Sequence, residues 1–284
     1  MQEINRGIYY ENAYSGVTLG ALLLPHGTVF IDTPLRTEDV RAWRSTLLNM
    51  GGNSNRILVS LDAHPDRTLG ARAMDCTIIT HQKTAQTFRN RPSIFKGQNA
   101  DSGSEWEAYD DAIGTRWALP DITFSDSVHL HWGPPTVILD HRPGPTQGTI
   151  WATVAEAKVV FVGDTVLAEQ PPFLANADIP SWIETLEILL RDYRDFVIIS
   201  GRGGPASLDN IQLMKRRLSK IMQGLDVVDQ QTDPPQAIES LIPSLLEDFN
   251  FPTEQEEIYV QRFRHGLAQY YMRRYHPTEI EEES

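Results

Sequence analysis

The feature that most limits what this chain can fold into is an apolar run that ends abruptly on acids and a histidine. Ile57-Leu58-Val59 leads through Ser60-Leu61 into Asp62-Ala63-His64-Pro65-Asp66-Arg67. A short apolar run bounded by turn residues predicts a buried strand. Its exit carries a carboxylate, an imidazole and a second carboxylate at i, i+2 and i+4, groups that can converge on one divalent metal. Aspartates at strand exits also bend loops and cap helices by accepting backbone N–H bonds, so the stretch taken alone carries both readings.

Further stretches of the same texture follow. His141-Arg142-Pro143-Gly144-Pro145-Thr146-Gln147-Gly148-Thr149 precedes Val159-Val160-Phe161-Val162-Gly163-Asp164-Thr165, and Val197-Ile198-Ile199-Ser200-Gly201-Arg202-Gly203-Gly204 comes later. In order and spacing, over residues 8–206, these segments resemble the metallo-β-lactamase superfamily. Its pattern is a strand followed by H-x-H-x-D-H, a G-H-T-x-G turn, an apolar strand ending G-D and another ending G-H-G. The resemblance implies an α/β fold, the αββα sandwich, with its site at the strand exits.

Carried over residue by residue, the resemblance keeps His64, Asp66 and Asp164. It puts Asp62 and Arg67 where the family's first motif has histidines, Pro145 at the histidine of the G-H-T turn, and Arg202 at the histidine of G-H-G. In the intact family site two metals share the ligands and generate a hydroxide nucleophile. A guanidinium offers no lone pair and does not deprotonate in proteins. A divalent ion about 4 Å from one guanidinium is disfavoured by roughly 8 kcal/mol at an effective dielectric near 20. Arg67 and Arg202 are therefore expected to pair with Asp66 or Asp164 in charge-assisted hydrogen bonds that replace metal–carboxylate bonds.

The remaining candidate ligands are Asp62, His64, Asp66 and Asp164, for either no metal or one weakly held zinc, iron or manganese ion. Two classes of function stay open. One is a family member without ordinary dimetal hydrolysis that serves as a binding or structural subunit, with an Arg-lined pocket suited to a small anionic molecule, or with a protein partner or a second copy of itself. The other is a divergent hydrolase of a small ester, thioester or lactone, using at most one metal, or Asp66 with His64 as general base.

Charge narrows the partners. The formal net charge of -13 opposes a nucleic-acid surface, which needs clustered Lys and Arg. No apolar run approaches the ~18 residues of a membrane helix, and the N-terminus has no basic region followed by an apolar one. The lone Cys76 lies in an apolar stretch and reads as a small buried hydrophobe. Cytoplasm is the expected location.

Along the chain, Gly7 to Tyr14 and Val17 to Leu24 predict a hairpin, with Val29 to Asp32 as a third strand. Val40, Trp43, Leu47 and Met50 predict a helix over 37–50 that stops at Gly51-Gly52. A short helix over 69–74, a strand over 77–80 and a helix over 82–89 follow, with His81 as a cap, and then a long loop over 91–111. Ile122 to Phe124 and Val128 to Trp132 predict a β-ribbon, with His129 and His131 on one face. Strands over 136–139, 149–154, 158–162 and 195–200 complete the set. Ser181 with Glu184 and Thr253 with Glu256 have the capping-box form.

From 207 onward the pattern is helical throughout, over 208–225, 235–249 and 254–275. The chain accordingly divides into a sandwich over 1–206 and an all-α extension over 207–284. Tyr259, Phe263, Leu267 and Tyr270 form the apolar stripe of the last helix, and the acidic 279–284 is expected to fray.

Overall fold

The computed structural model describes residues 1–96, 112–247, 249 and 251–277. The end of the expected long loop, 97–111, and the acidic terminus therefore lie outside the described residues.

Two sheets face each other. The first contains β1 (Gln2–Asn5), β2 (Ile8–Glu11), β3 (Leu19–Leu24), β4 (Gly27–Ile31), β5 (Arg56–Val59), β6 (Thr77–His81) and β7 (Ile122–Phe124), in that order. Strands β4 to β7 run parallel, joined by α1 (Thr37–Asn49), the short α2 (Ala71–Met74) and α3 (Gln82–Asn90). The second contains β8 (Ser127–Leu130), β9 (Val137–His141), β10 (Ile150–Val154), β11 (Val159–Gly163), β12 (Val197–Ser200) and β13 (Gly204–Ala206). Here β11 and β12 are the parallel pair, connected through α4 (Ile179–Asp192).

Alternation along each strand builds the layers, because successive side chains of a strand point to opposite faces. Val29, Ile31, Ile57 and Val59 meet Ile150, Ala152, Val159 and Phe161 between the sheets. Their neighbours Phe30 and Leu58 pack outward on Val40, Trp43 and Leu47 of α1. Trp151, Val160 and Val162 pack outward on the other side, against Trp182, Leu186 and Leu189 of α4. The result is an αββα sandwich.

The C-terminal region is helical, as expected: α5 (Leu208–Val228), α6 (Pro234–Leu246) and α7 (Glu256–Tyr275). Tyr259, Phe263, Leu267 and Tyr270 are all buried. Ile211, Met214, Ile242, Phe263 and Leu267 share one apolar core with α4 and the outer face of the second sheet.

Several local expectations are corrected. The ribbon of 122–124 with 128–132 does not form: β7 adds parallel to β6 in the first sheet, while β8 pairs with β9 in the second. The residues between them carry the chain from one sheet to the other, and two short strands cannot report which partner each will take. Helix α4 begins two residues earlier than its supposed cap, with Asp178 accepting the Ser181 N–H at 3.2 Å. Thr253 opens a single 3-10 turn, and no side chain caps the start of α7. The capping box that does form is Ser207 with Asn210, at the start of α5. Strands β1 and β13 were not anticipated, since neither alternates clearly in sequence. Cys76 is only half buried beside the α1 core, and burial raises its thiol pKa to about 11.

Candidate functional site

The parallel strands bring their C-terminal ends to one edge of the sandwich, where most of the singled-out residues meet. Asp62, His64, Asp66 and Arg67 leave β5, Asp164 leaves β11, and Arg202 leaves β12. Asp32 leaves β4 and joins them; it was passed over in the sequence as a strand terminus. An acid closing the apolar Val29-Phe30-Ile31 in the same manner as Asp164 closes Val160-Phe161-Val162 was the available signal.

The loop after β5 is shaped by its own aspartate. Asp62 Oδ1 accepts the His64 N–H at 2.9 Å and lies 2.9 Å from His64 Nδ1, so the turn-forming and site-forming readings of this residue coincide. Pro65 to Arg67 then make one 3-10 turn, which Thr68 closes by donating from its hydroxyl to the His64 carbonyl at 2.7 Å. That turn swings Arg67 inward.

Arg67 is the hub. Its guanidinium has 0% exposure. Nη1 lies 3.3 Å from Asp32 and 3.4 Å from Asp62, while Nη2 pairs with Asp164. Space for the guanidinium comes from Gly201, where a Cβ would sit 2.7 Å from Arg67 Nη1. The glycine of the Gly201-Arg202-Gly203-Gly204 stretch thus accommodates the arginine of the first motif.

Arg202 holds the other side. Nη2 lies 2.5 Å from Asp66 Oδ2, Nε donates to Asp164 at 3.1 Å, and Nη1 donates to the Gly16 carbonyl at 2.7 Å. The expected pairing of both arginines with Asp66 or Asp164 is therefore present in the geometry. Pro145 is buried in its turn and brings no ligand atom.

Electrostatics follow from this crowding. Burial raises the Asp32 pKa to about 7 against the pull of Arg67. Burial also opposes ionisation of Asp62, but Arg67 and His64 outweigh it and hold that carboxyl below its ordinary range. At Asp164 burial is likewise outweighed, by Arg202, Arg67 and His64. Arg67, pulled down by burial, is raised on balance by Asp164, Asp62 and Asp32.

Among the described residues one group has metal-ligand geometry: ligand atoms of Asp62, His64 and Asp164 lie within 4.8 Å of one another. Asp66 stands outside it, on Arg202. The donors suit one divalent ion, but an ion there would share Asp62 and Asp164 with a buried guanidinium. The residues present do not fit a second ion beside Asp66, which is held on the Arg202 guanidinium, a group with no lone pair to offer a metal. His129 and His131, with ring centroids 6.0 Å apart on and beside β8, are exposed and take no part. His81 caps α3, as expected, by accepting the Lys83 N–H at 3.3 Å.

The cluster is roofed. Phe173, 3% exposed, lies 5.1 Å from the His64 ring. It also lies under the Arg202 guanidinium at 4.8 Å and that of Arg262 from α7 at 5.3 Å. Helix α7 presses on the same segment through Gly266, where a Cβ would be 3.2 Å from Leu174, and through Arg273, which donates to the Ala177 carbonyl at 3.1 Å. Nothing in the sequence pattern linked 171–177 to the site.

Beside this closed group lies an open cavity of about 280 Å³, with His64 at its border. Lys83, Gln86, Thr87, Asn90 and Arg91 come from α3 and its end, Thr146, Gln147 and Gly148 from the β9–β10 turn, and Arg273 from α7. None of these residues was singled out in the sequence for binding, because they lie far apart along the chain.

Comparison with known proteins supports the architecture. No family model and no curated protein matches the chain. Among solved structures, a metallo-β-lactamase family protein from Thermus thermophilus is similar with a TM-score of 0.65 and 16% identity, over 95% of this chain and 94% of that one. The DIM-1 metallo-β-lactamase gives 0.59 and 16% over 77% and 95%, and a metallo-β-lactamase from Pontibacter korlensis 0.56 and 17% over 75% and 93%. Coverage by the Thermus structure reaches into the C-terminal helices.

Proposed function

The architecture of the metallo-β-lactamases is the premise from which a function for this chain has to be drawn, since its fold is theirs, and we propose that here the fold works by binding rather than by dimetal hydrolysis. One observation carries the reading: the Arg67 guanidinium, wholly buried, is ion-paired with Asp32, Asp62 and Asp164. It supplies internally the positive charge that these carboxylates would otherwise draw from a metal. Arg202 does the same for Asp66. The Phe173 roof adds a second obstacle, because a hydrolytic centre must admit both water and substrate.

The test is elemental analysis of protein purified without chelator, together with turnover of chromogenic esters and lactams. Less than about half an equivalent of zinc, iron or manganese is expected, with no turnover, because ligand positions are lost to Arg67, Pro145 and Arg202. Two equivalents retained after dialysis would overturn the reading.

The Asp62, His64 and Asp164 group favours a second reading, a divergent hydrolase of a small ester, thioester or lactone with one metal. In it these three residues hold the ion, which would supply a Lewis acid, and Asp66 cannot act as a free base while held on Arg202. One equivalent of metal with turnover lost on Asp164→Asn would establish it over the first.

A further inference from the structure

Two histidines far apart in the chain lie face to face at the junction of the two sheets. His81 ends β6 and His141 ends β9, and their rings stack with centroids 3.8 Å apart and an interplanar angle of 5°. His81 is 1% exposed. Neutral rings can share this position, whereas two imidazolium ions so close would repel.

The partners of each ring fix where its hydrogen sits. The Lys83 backbone N–H, 3.3 Å from His81 Nδ1, can only donate, so Nδ1 is the bare acceptor. The Ser125 carbonyl, 2.8 Å from His81 Nε2, can only accept, so Nε2 carries the hydrogen. The Gln147 carbonyl requires Nε2–H on His141 in the same manner, at 2.8 Å. Neutral His81 thus ties together three segments: the start of α3, which it caps; Ser125, in the passage from β7 to β8; and, through the stack, the turn after β9. That turn also meets α3 directly, since the Thr84 hydroxyl donates to the Gly148 carbonyl at 3.0 Å.

A further proton on His81 has only Nδ1 to bind. It would set Nδ1–H against the Lys83 N–H, donor against donor, and place a cation at the positive end of a helix. Burial lowers the His81 pKa; the Ser125 hydrogen bond opposes it, His141 and Lys83 reinforce it, and Asp126 opposes it again. Asp126 is exposed and accepts the Ser125 hydroxyl at 2.8 Å. Asp140 and Arg142, on either side of His141, pair with each other at 3.8 Å.

We propose that His81 is an acid-released latch: neutral, it holds the start of α3 and the turn 144–149 together, and protonated, it lets them part. Both segments are walls of the open cavity beside His64, α3 through Lys83, Gln86 and Thr87 and the turn through Thr146, Gln147 and Gly148. Acid therefore loosens this part of the edge, whatever the edge binds, and the latch does not depend on the function proposed above. The sign follows from the direction of the shift. With the folded pKa below the ordinary 6.5, the unfolded chain takes the proton more readily. The latch contributes fully above about pH 6.5, and its contribution falls as pH drops from there towards the folded value.

The experiment is NMR of the full chain between about pH 7.5 and pH 5, reading the imidazole nitrogens and backbone amide exchange. At the upper pH the His81 ring is expected as the neutral Nε2–H tautomer. Protection of the α3 amides of Gln86, Thr87 and Phe88, corrected for the intrinsic pH dependence of exchange, should fall at least about tenfold by the lower pH and in step with His81 protonation, while that of Val160 and Phe161 in β11 holds. His81→Asn supplies a capping oxygen that does not titrate, and in it the fall at α3 should shrink to less than about twofold. His81 found as imidazolium or as the Nδ1–H tautomer at the upper pH would overturn the proposal. So would α3 protection that is unchanged by acid, or that falls equally in His81→Asn. If that variant does not fold, the tautomer and the match between His81 protonation and α3 exchange in the parent still decide.

Discussion

Two groups of cations border His64, and they are built in opposite ways. Arg67 is enclosed by Asp32, Asp62 and Asp164 beneath Phe173. Lys83, Arg91 and Arg273 border a cavity whose described lining has no carboxylate. In the first group charge is neutralised inside the protein, so nothing from solvent is required. The second group lines a cavity open to solvent.

Helix α7 joins the two regions, since Arg262 covers Phe173 and Arg273 lines the cavity. Ending the chain at Gln255 is the severest way to break the comparison. It removes Tyr259, Phe263, Leu267 and Tyr270 and uncovers the outer core on which Phe263, Leu267 and Tyr270 pack. Their burial is worth roughly 6 to 12 kcal/mol as an upper bound, comparable to the whole stability of a domain. Loss of the cooperative melt is expected by circular dichroism; a truncated chain melting at the parent temperature would show that α7 supports neither region.

Arg67→Met separates the regions more finely. It leaves the buried Asp32, Asp62 and Asp164 without their shared cation, and breaking a buried pair from one side typically costs about 3 to 5 kcal/mol. Urea denaturation at pH 7 should show that loss, whereas Lys83→Met should change stability by less than about 0.5 kcal/mol, as at other exposed positions. Equal effects would mean that the closed and open groups are not energetically different.

Phe173→Ala tests the roof. Truncating a buried phenylalanine costs roughly 3 kcal/mol or somewhat more. The variant should also expose the His64 ring to diethyl pyrocarbonate, with faster loss of imidazole than in the parent. Unchanged reactivity would show that access to the cluster is controlled elsewhere.

Much of this was legible in the sequence, for identifiable reasons. Short apolar runs that end on polar residues, such as Ile57 to Val59 and Val159 to Val162, declare strands and where they end, and it was the resemblance in the order and spacing of these segments that implied one place for Asp62, His64, Asp164 and Arg202. The pairing of the arginines with Asp66 or Asp164 followed from opposite charge once the resemblance had implied that they share one site. Phe173 and the Lys83, Arg91 and Arg273 cavity were hidden because each depends on segments far apart in the chain meeting in space. Asp32 was hidden differently: a lone acid at a strand end has the sequence appearance of a turn former, and only the approach of Arg67 gives it another role.

Asp32 also supplies the smallest and sharpest test of the closed group. Its carboxyl is fully buried, and its pKa is raised to about 7 from an ordinary value of 3.8. Between those pH values the folded state binds more protons than the unfolded one, so this residue makes stability fall as pH rises from about 4 to about 7, after which its effect is constant. Asp32→Asn removes that titration while keeping an oxygen able to accept the Leu61 N–H, now made at 2.9 Å. The variant should therefore gain on the parent as pH rises from 5 to 7, by about 1 to 2 kcal/mol, within the limit of about 1.4 kcal/mol per pH unit for one proton. Taking the difference between variant and parent cancels, to first order, titrations elsewhere in the chain. Urea denaturation at pH 5, 6 and 7 measures it. A difference that stays flat from pH 5 to 7 would mean that Arg67 keeps Asp32 ionised throughout, in which case Asp32 would belong with Asp62 and Asp164 as a full partner of the guanidinium.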